Sequence, residues 1–125
     1  MNTQVETMTV NGIEYVRADS VQNSSPAQSL DGMKYVIVRT YSAGVFAGYL
    51  KNRKGKEVVL INARRLWFWS GAASLSQLAM EGVKNPGKCK FPCEVDRVEL
   101  TEAIEVLDCT EAARQSIAGV KVWTL

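Results

Sequence analysis

The chain has 125 residues, 46% of them hydrophobic, a net charge of +2 and no histidine. One domain with a real apolar core fits that length, and no apolar run approaches the ~20 residues that span a bilayer. Without histidine, Ser–His and Cys–His nucleophile pairs are excluded and the commonest general base near neutral pH is missing; carboxylate or lysine chemistry remains open, but binding is the better expectation.

In chain order, Met1–Glu6 lacks the basic start and apolar stretch of a signal peptide, which predicts a cytosolic protein. Residues 8–17 read as a hairpin around the Asn11-Gly12 turn. Residues 18–32, rich in Ser, Gln, Asn and Asp, read as a polar linker. The chain thus divides into 1–32, hairpin and linker, and 33–125, a single α+β ligand-binding domain. Residues 33–41 and 45–51 read as strands. Asn52-Arg53-Lys54-Gly55 supplies a turn, and 56–63 return as a third strand, with Trp69 as its furthest extension. Apolar spacing over Leu75, Leu78 and Ala79 predicts a helix at 72–81, ended by Gly82. Residues 83–92 form a loop marked by Asn85-Pro86-Gly87 and Phe91-Pro92. Residues 95–100 alternate as a strand. Residues 104–107 fit strand or helix, with strand preferred. Thr110 caps a helix at 111–118 closed by Gly119, and 120–123 read as a last strand or an extended tail. The expected fold is α+β, an antiparallel β-meander with one or two short helices packed on it.

Charge is unevenly placed. Lys34 to Arg65 carries eight basic residues against Glu57 alone, a net +7, whereas Glu94 to Glu111 carries seven acids against Arg97 alone, a net −6. Such segregation fits an electropositive face for an anion, a basic surface meeting the acidic surface of a second subunit, or two solvated faces. Cys89, Cys93 and Cys109 are an odd number, as expected of a reducing compartment. Lacking histidine, they make a poor zinc set, and no metal or cofactor is expected.

Two features point to an anion. Ser42-Ala43-Gly44 lies in a turn whose small residues let a ligand approach the backbone, so that amides could hold a phosphate oxygen. Arg64 and Arg65 fall on opposite faces of the third strand, Arg64 with Leu60 and Asn62, Arg65 with Trp67 and Trp69. Neither can sit unpaired in an apolar interior. If the hairpin centres on 52–55, Ala43 lies opposite Arg64 and Ser42 opposite Arg65, which joins amides to guanidinium groups suited to phosphate. Trp67, Phe68 and Trp69 can stack on a base, or form core and subunit interface. Phe91 is less easily placed in a core, and Arg114 either reaches outward or pairs with Glu111.

Arg65-Leu66-Trp67-x-Trp69-x-Gly71-Ala72-Ala73-Ser74-Leu75-Ser76-Gln77-Leu78-Ala79, followed by Phe91-Pro92, Leu100-Thr101-Glu102-x-Ile104-Glu105 and Thr110-Glu111, resembles a small domain of unknown function widespread in bacteriophages. The resemblance covers about residues 33–123. The domain is in turn similar to the first type of Thoeris anti-defence sponge proteins. That similarity implies a non-catalytic phage protein of the host bacterial cytoplasm that sequesters cyclic ADP-ribose isomers. It also implies cyclic trinucleotides held at a separate site in a hexamer. By the same resemblance, Ala43, Gly44 and Arg64 correspond to the trinucleotide site, and Phe91 and Arg114 to a cyclic ADP-ribose pocket at a subunit boundary. Ser42, Ala43, Gly44, Asn62, Arg64, Arg65, Phe91 and Arg114 are therefore the candidate ligand-binding residues. The expected partners are a cyclic nucleotide or another phosphate-bearing small ligand and further copies of the chain, as a dimer or hexamer, with no membrane. The alternatives are an accessory factor for single-stranded nucleic acid, using the basic 34–65 segment, and a protein inhibitor.

Overall fold

A computed structural model describes residues 25–125. The hairpin expected at 8–17 and the first part of the polar linker, residues 18–24, lie outside the described residues. The architecture is a five-stranded antiparallel sheet with two short helices, an α+β fold. Its elements are β1 (Tyr35–Thr40), β2 (Val45–Lys54), β3 (Glu57–Arg65), α1 (Leu75–Glu81), β4 (Glu94–Leu100), β5 (Ala103–Asp108) and α2 (Glu111–Ala118), with a 3-10 turn at Pro86–Lys88. The strand order is β4-β3-β2-β1-β5, so β1 to β4 form the meander and β5 adds to the far side of β1. No helix among the described residues is long and apolar enough to cross a membrane.

Leu100 and Ala103 end and begin the two outermost strands, yet only Thr101-Glu102 separates them. A flat five-stranded sheet would hold its margins ~19 Å apart, whereas three backbone steps reach at most ~11 Å. The sheet is therefore rolled, and main-chain bonds fasten the roll. Ala103 N–H donates to the Lys56 carbonyl (3.0 Å) and Tyr41 N–H to that of Glu102 (3.0 Å). Rolling gives two apolar cores. Val36, Val38, Phe46, Val58, Leu60, Ala63, Leu100 and Ala103 fill the inside of the curl. The other face carries Tyr35, Ile37, Ala47 and Leu66, packed beneath Leu78, Ala79, Ala113 and Ile117 of the helices.

The helices begin and end where their caps require. Ser74 Oγ accepts from Gln77 N–H (3.1 Å), so α1 starts at Leu75 rather than at 72. Thr110 Oγ1 accepts from Ala113 N–H (3.1 Å) and donates to the Met80 carbonyl (2.7 Å), joining the end of α1 to the start of α2. Gly82 ends α1 at φ +78°, hard against the Ser116 side chain, where a β carbon has no room.

The β2–β3 register differs from expectation. The turn is Gly55-Lys56 alone, because Asn52–Lys54 continue in the ladder down to Lys54↔Glu57. Arg64 therefore lies opposite Ala47 and Arg65 opposite Phe46, not opposite Ala43 and Ser42. The ladder is also interrupted between Ala47 and Tyr49, where β3 has one extra residue, and Asn62 there takes the left-handed conformation (φ +50°). Gly48 faces this bulge; a β carbon on it would lie 3.0 Å from the Ala63 Cα. The extra residue reverses the alternation, so Leu60 and Ala63 enter the curl while Arg64 faces the helices. The expected sharing of one face by Leu60 and Arg64 is thereby corrected. β3 stops at Arg65 rather than reaching Trp69. Residues 104–107 are strand, within β5, and 120–123 are an extended tail bridged once, at Phe91↔Val122.

Candidate functional site

Seven of the eight candidate residues fall into two clusters, one on each side of β3. Arg64 is 5% exposed and lies on the helix side. Its Nε–H donates to the Pro92 carbonyl (2.9 Å), Nη1 to Ile117 (2.9 Å), and Nη2 to Phe91 (3.1 Å) and Val120 (2.7 Å). Four of its five N–H groups thus end on main-chain carbonyls, and burial lowers its pKa below the ordinary guanidinium value. Sequence reasoning required a partner for this charge and named water, a carboxylate or a ligand. The partners are instead the bare carbonyls of the 91–92 loop, the last turn of α2 and the segment after it. Phe91, expected outside the core, is fully buried within it and lies under the Arg64 guanidinium (5.5 Å to the ring centroid).

Beside Arg64 is a cavity of about 240 Å³. It is lined by Tyr35 and Tyr49, Glu94, Arg114, Val120 and Val122. Tyr35 and Tyr49 are cross-strand neighbours meeting edge to face at 5.0 Å, and Arg64 and Glu94 are cross-strand neighbours one strand further on. Burial, with smaller contributions from nearby ionisable groups, pushes the Tyr35 phenol well above its ordinary pKa. Arg114 reaches this cavity while forked onto Glu111 of its own helix, Nε to Oε1 at 2.9 Å and Nη2 to Oε2 at 2.6 Å. The Arg114 bond, helped by the Gln28 N–H, holds the Glu111 carboxyl down at about 2. Tyr35, Tyr49 and Glu94 were not among the expected site residues. Tyr35 and Tyr49 read as ordinary alternating strand residues, and only the register brings them together.

The other face carries the second cluster. Ser42, Ala43, Gly44, Val45, Arg65, Leu66 and Trp67 line an open groove of about 250 Å³. Its turn is built by Thr40, whose Oγ1 donates to the Gly44 carbonyl (2.7 Å) and accepts from Ala43 N–H (2.9 Å). The Ala43 amide, expected to face a ligand, is thus already engaged. Gly44 takes φ +93°, a conformation glycine adopts without strain. Ser42 Oγ donates to the Glu102 carboxylate. Arg65 lies over the Phe46 ring (4.4 Å to the centroid) and donates from Nη1 to the Ala43 carbonyl. Among the described residues no carboxylate lies within 4 Å of it. Trp67 stands at the edge of the groove, 65% exposed. The expected meeting of the turn with an arginine is therefore found for Arg65 and not for Arg64. Asn62 belongs to neither cluster; its backbone forms the bulge that separates them.

Among the described residues no group of three cysteines or carboxylates is placed to hold a metal ion. Cys89 and Cys109 are buried, Cys93 is exposed, and burial pushes the Cys109 thiol up to about 12.

No curated protein and no solved structure matches the chain. A family does: from residue 33 to residue 117, more than half its length, the chain matches DUF6948, and it therefore belongs to that family, a domain of unknown function.

Proposed function

We propose that this domain is a non-catalytic binder of a phosphate-bearing ligand, seated in the groove between the 42–44 turn, Arg65 and Trp67. The observation that carries the reading is the state of Arg65. It is steadied by one carbonyl and one aromatic ring, yet has no carboxylate partner among the described residues. A nucleotide needs a cation for its phosphate and a flat π face for its base, and Arg65 and Trp67 offer both at one groove. The Tyr35–Tyr49–Arg114 cavity is a second place of the same chemical kind on the opposite face.

The finer reading is a phage counter-defence protein of the host cytoplasm that sequesters cyclic ADP-ribose isomers, cyclic trinucleotides or both, as a homodimer or hexamer. Its support is the resemblance carried by residues 65–79 and the two arginine–aromatic cavities. Sequestration requires no acid–base pair, so it makes no demand that a chain without histidine fails to meet.

Calorimetry with cyclic ADP-ribose isomers and cyclic trinucleotides tests the proposal. Tight binding is expected, with the ligand recovered intact after the protein is denatured, and Arg65→Ala and Trp67→Ala each weaken binding at least tenfold. Arg114→Ala reports separately on the second cavity, and native mass spectrometry of the loaded protein gives the subunit count. No binding to any cyclic nucleotide, or recovery of a cleaved product, overturns the reading.

A further inference from the structure

Beyond the end of β3, Phe68 is held by a two-way main-chain bridge: its N–H donates to the Lys90 carbonyl (3.2 Å) and its carbonyl accepts from Lys90 N–H (2.7 Å). Trp123 is fastened in the same region, its N–H donating to the Phe91 carbonyl (3.0 Å). Although their backbones are fixed, the two rings remain 50% and 38% exposed. The Lys90 ammonium lies between them, 6.0 Å from the Phe68 centroid and 5.7 Å from the Trp123 centroid. Lysines continue on either side in the chain, Lys84 and Lys88 before Lys90 and Lys121 before Trp123, while Glu81 is the only acid between residues 66 and 93. Among the described residues none of these four lysines lies within 4 Å of a carboxylate.

We propose that this surface is a stacking platform for single-stranded nucleic acid, built from Phe68 and Trp123 with Lys90 between them. Exposed, backbone-anchored rings offer stacking faces to unpaired bases, and the Lys90 ammonium meets a phosphate. A duplex hides its base faces, so the platform selects single strands. The Lys90 charge lies at the rings themselves, outside the 34–65 segment that sequence alone singled out. The surface is distinct from the Arg65 groove and makes the domain a binder of two ligand classes.

Fluorescence anisotropy of labelled oligo(dT) and oligo(rU) 12-mers, with a 12-base-pair duplex as competitor, tests this on the full chain. Expected is single-strand binding that falls with salt and that the duplex competes for weakly. The Phe68→Ala/Trp123→Ala chain loses at least tenfold in affinity, and Lys90→Ala lowers the salt slope by about one phosphate contact. The DNA and RNA arms show which strand is preferred. Unchanged melting temperature and unchanged cyclic-nucleotide binding by the double variant separate this effect from misfolding and from the groove. The proposal is overturned if no single strand binds at low salt, if duplex binds equally well, or if the double substitution changes nothing. It is also overturned if light scattering shows a second copy covering these rings, as self-association that the double substitution abolishes.

Discussion

Arg64 and Arg65 are neighbours in the chain with opposite roles. Arg64 gathers four carbonyls from three separate segments, so removing it leaves buried acceptors without donors. Such groups cost about 1–3 kcal/mol each. We expect Arg64→Met to destabilise the domain by about 3–5 kcal/mol, read as a fall in melting temperature of at least ~12 °C for a domain of this size. Arg64→Lys should recover only part of this, because one ammonium cannot span the same fork. Chemical denaturation of the three proteins checks the order. That a buried arginine would need partners was legible in the sequence. Which partners was not, because the carbonyls of Phe91, Pro92, Ile117 and Val120 come within reach only through long-range folding.

Among the elements, those that announce themselves locally were readable. Thr110 caps the start of α2 through its side chain and Gly119 follows its last residue, and Val36 to Val38, with polar neighbours at both ends, make β1 unmistakable. The β2–β3 hairpin misled because Asn52-Arg53-Lys54-Gly55 has the composition of a turn, while Gly55-Lys56 alone suffices once the ladder extends through Lys54. The bulge at Asn62 was hidden for a different reason. A positive φ at an asparagine leaves no pattern in the sequence, and its effect, reversal of every later residue's face, depends on the partner strand. It also split the candidate site, because without it Arg64 and Leu60 would share a face. Asn62→Gly should leave stability unchanged or raise it slightly, whereas Asn62→Val, β-branched in the left-handed region, should cost about 1–2 kcal/mol. Urea midpoints compared at constant slope give the measurement.

At the scale of the whole molecule, two ion pairs resolve part of the charge asymmetry inside the chain. β1 and β5 are neighbours, and they pair Lys34 with Asp108 (3.1 Å) and Arg39 with Glu105 (3.0 Å). The segment at 25–28 is fastened to the helical layer in several places. Glu111 N–H donates to the Ser25 carbonyl (2.9 Å), Ala27 N–H to that of Cys109 (3.1 Å), and Gln28 N–H to the Glu111 carboxylate (2.7 Å). That carboxylate titrates at about 2 when folded and near 4.3 when unfolded. Its contribution is therefore complete above pH ~5 and lost as the pH falls toward 2. Thermal melts from pH 6 to pH 2.5 should show a steeper acid loss for the parent chain than for Glu111→Gln. The gap between them should close at the acid end.

The rolled sheet has a last consequence. β4 presents Glu94, Asp96 and Glu99 with Arg97 among them, and β5 with its approach presents Glu102, Glu105 and Asp108, the last two paired with Arg39 of β1 and Lys34 just before it, so acids outnumber bases along both margin strands. A strand from another molecule seeking to extend either margin meets an excess of carboxylates. Growth into fibrils is opposed at both ends of the hydrogen-bonding direction, and association between copies is left to faces rather than edges.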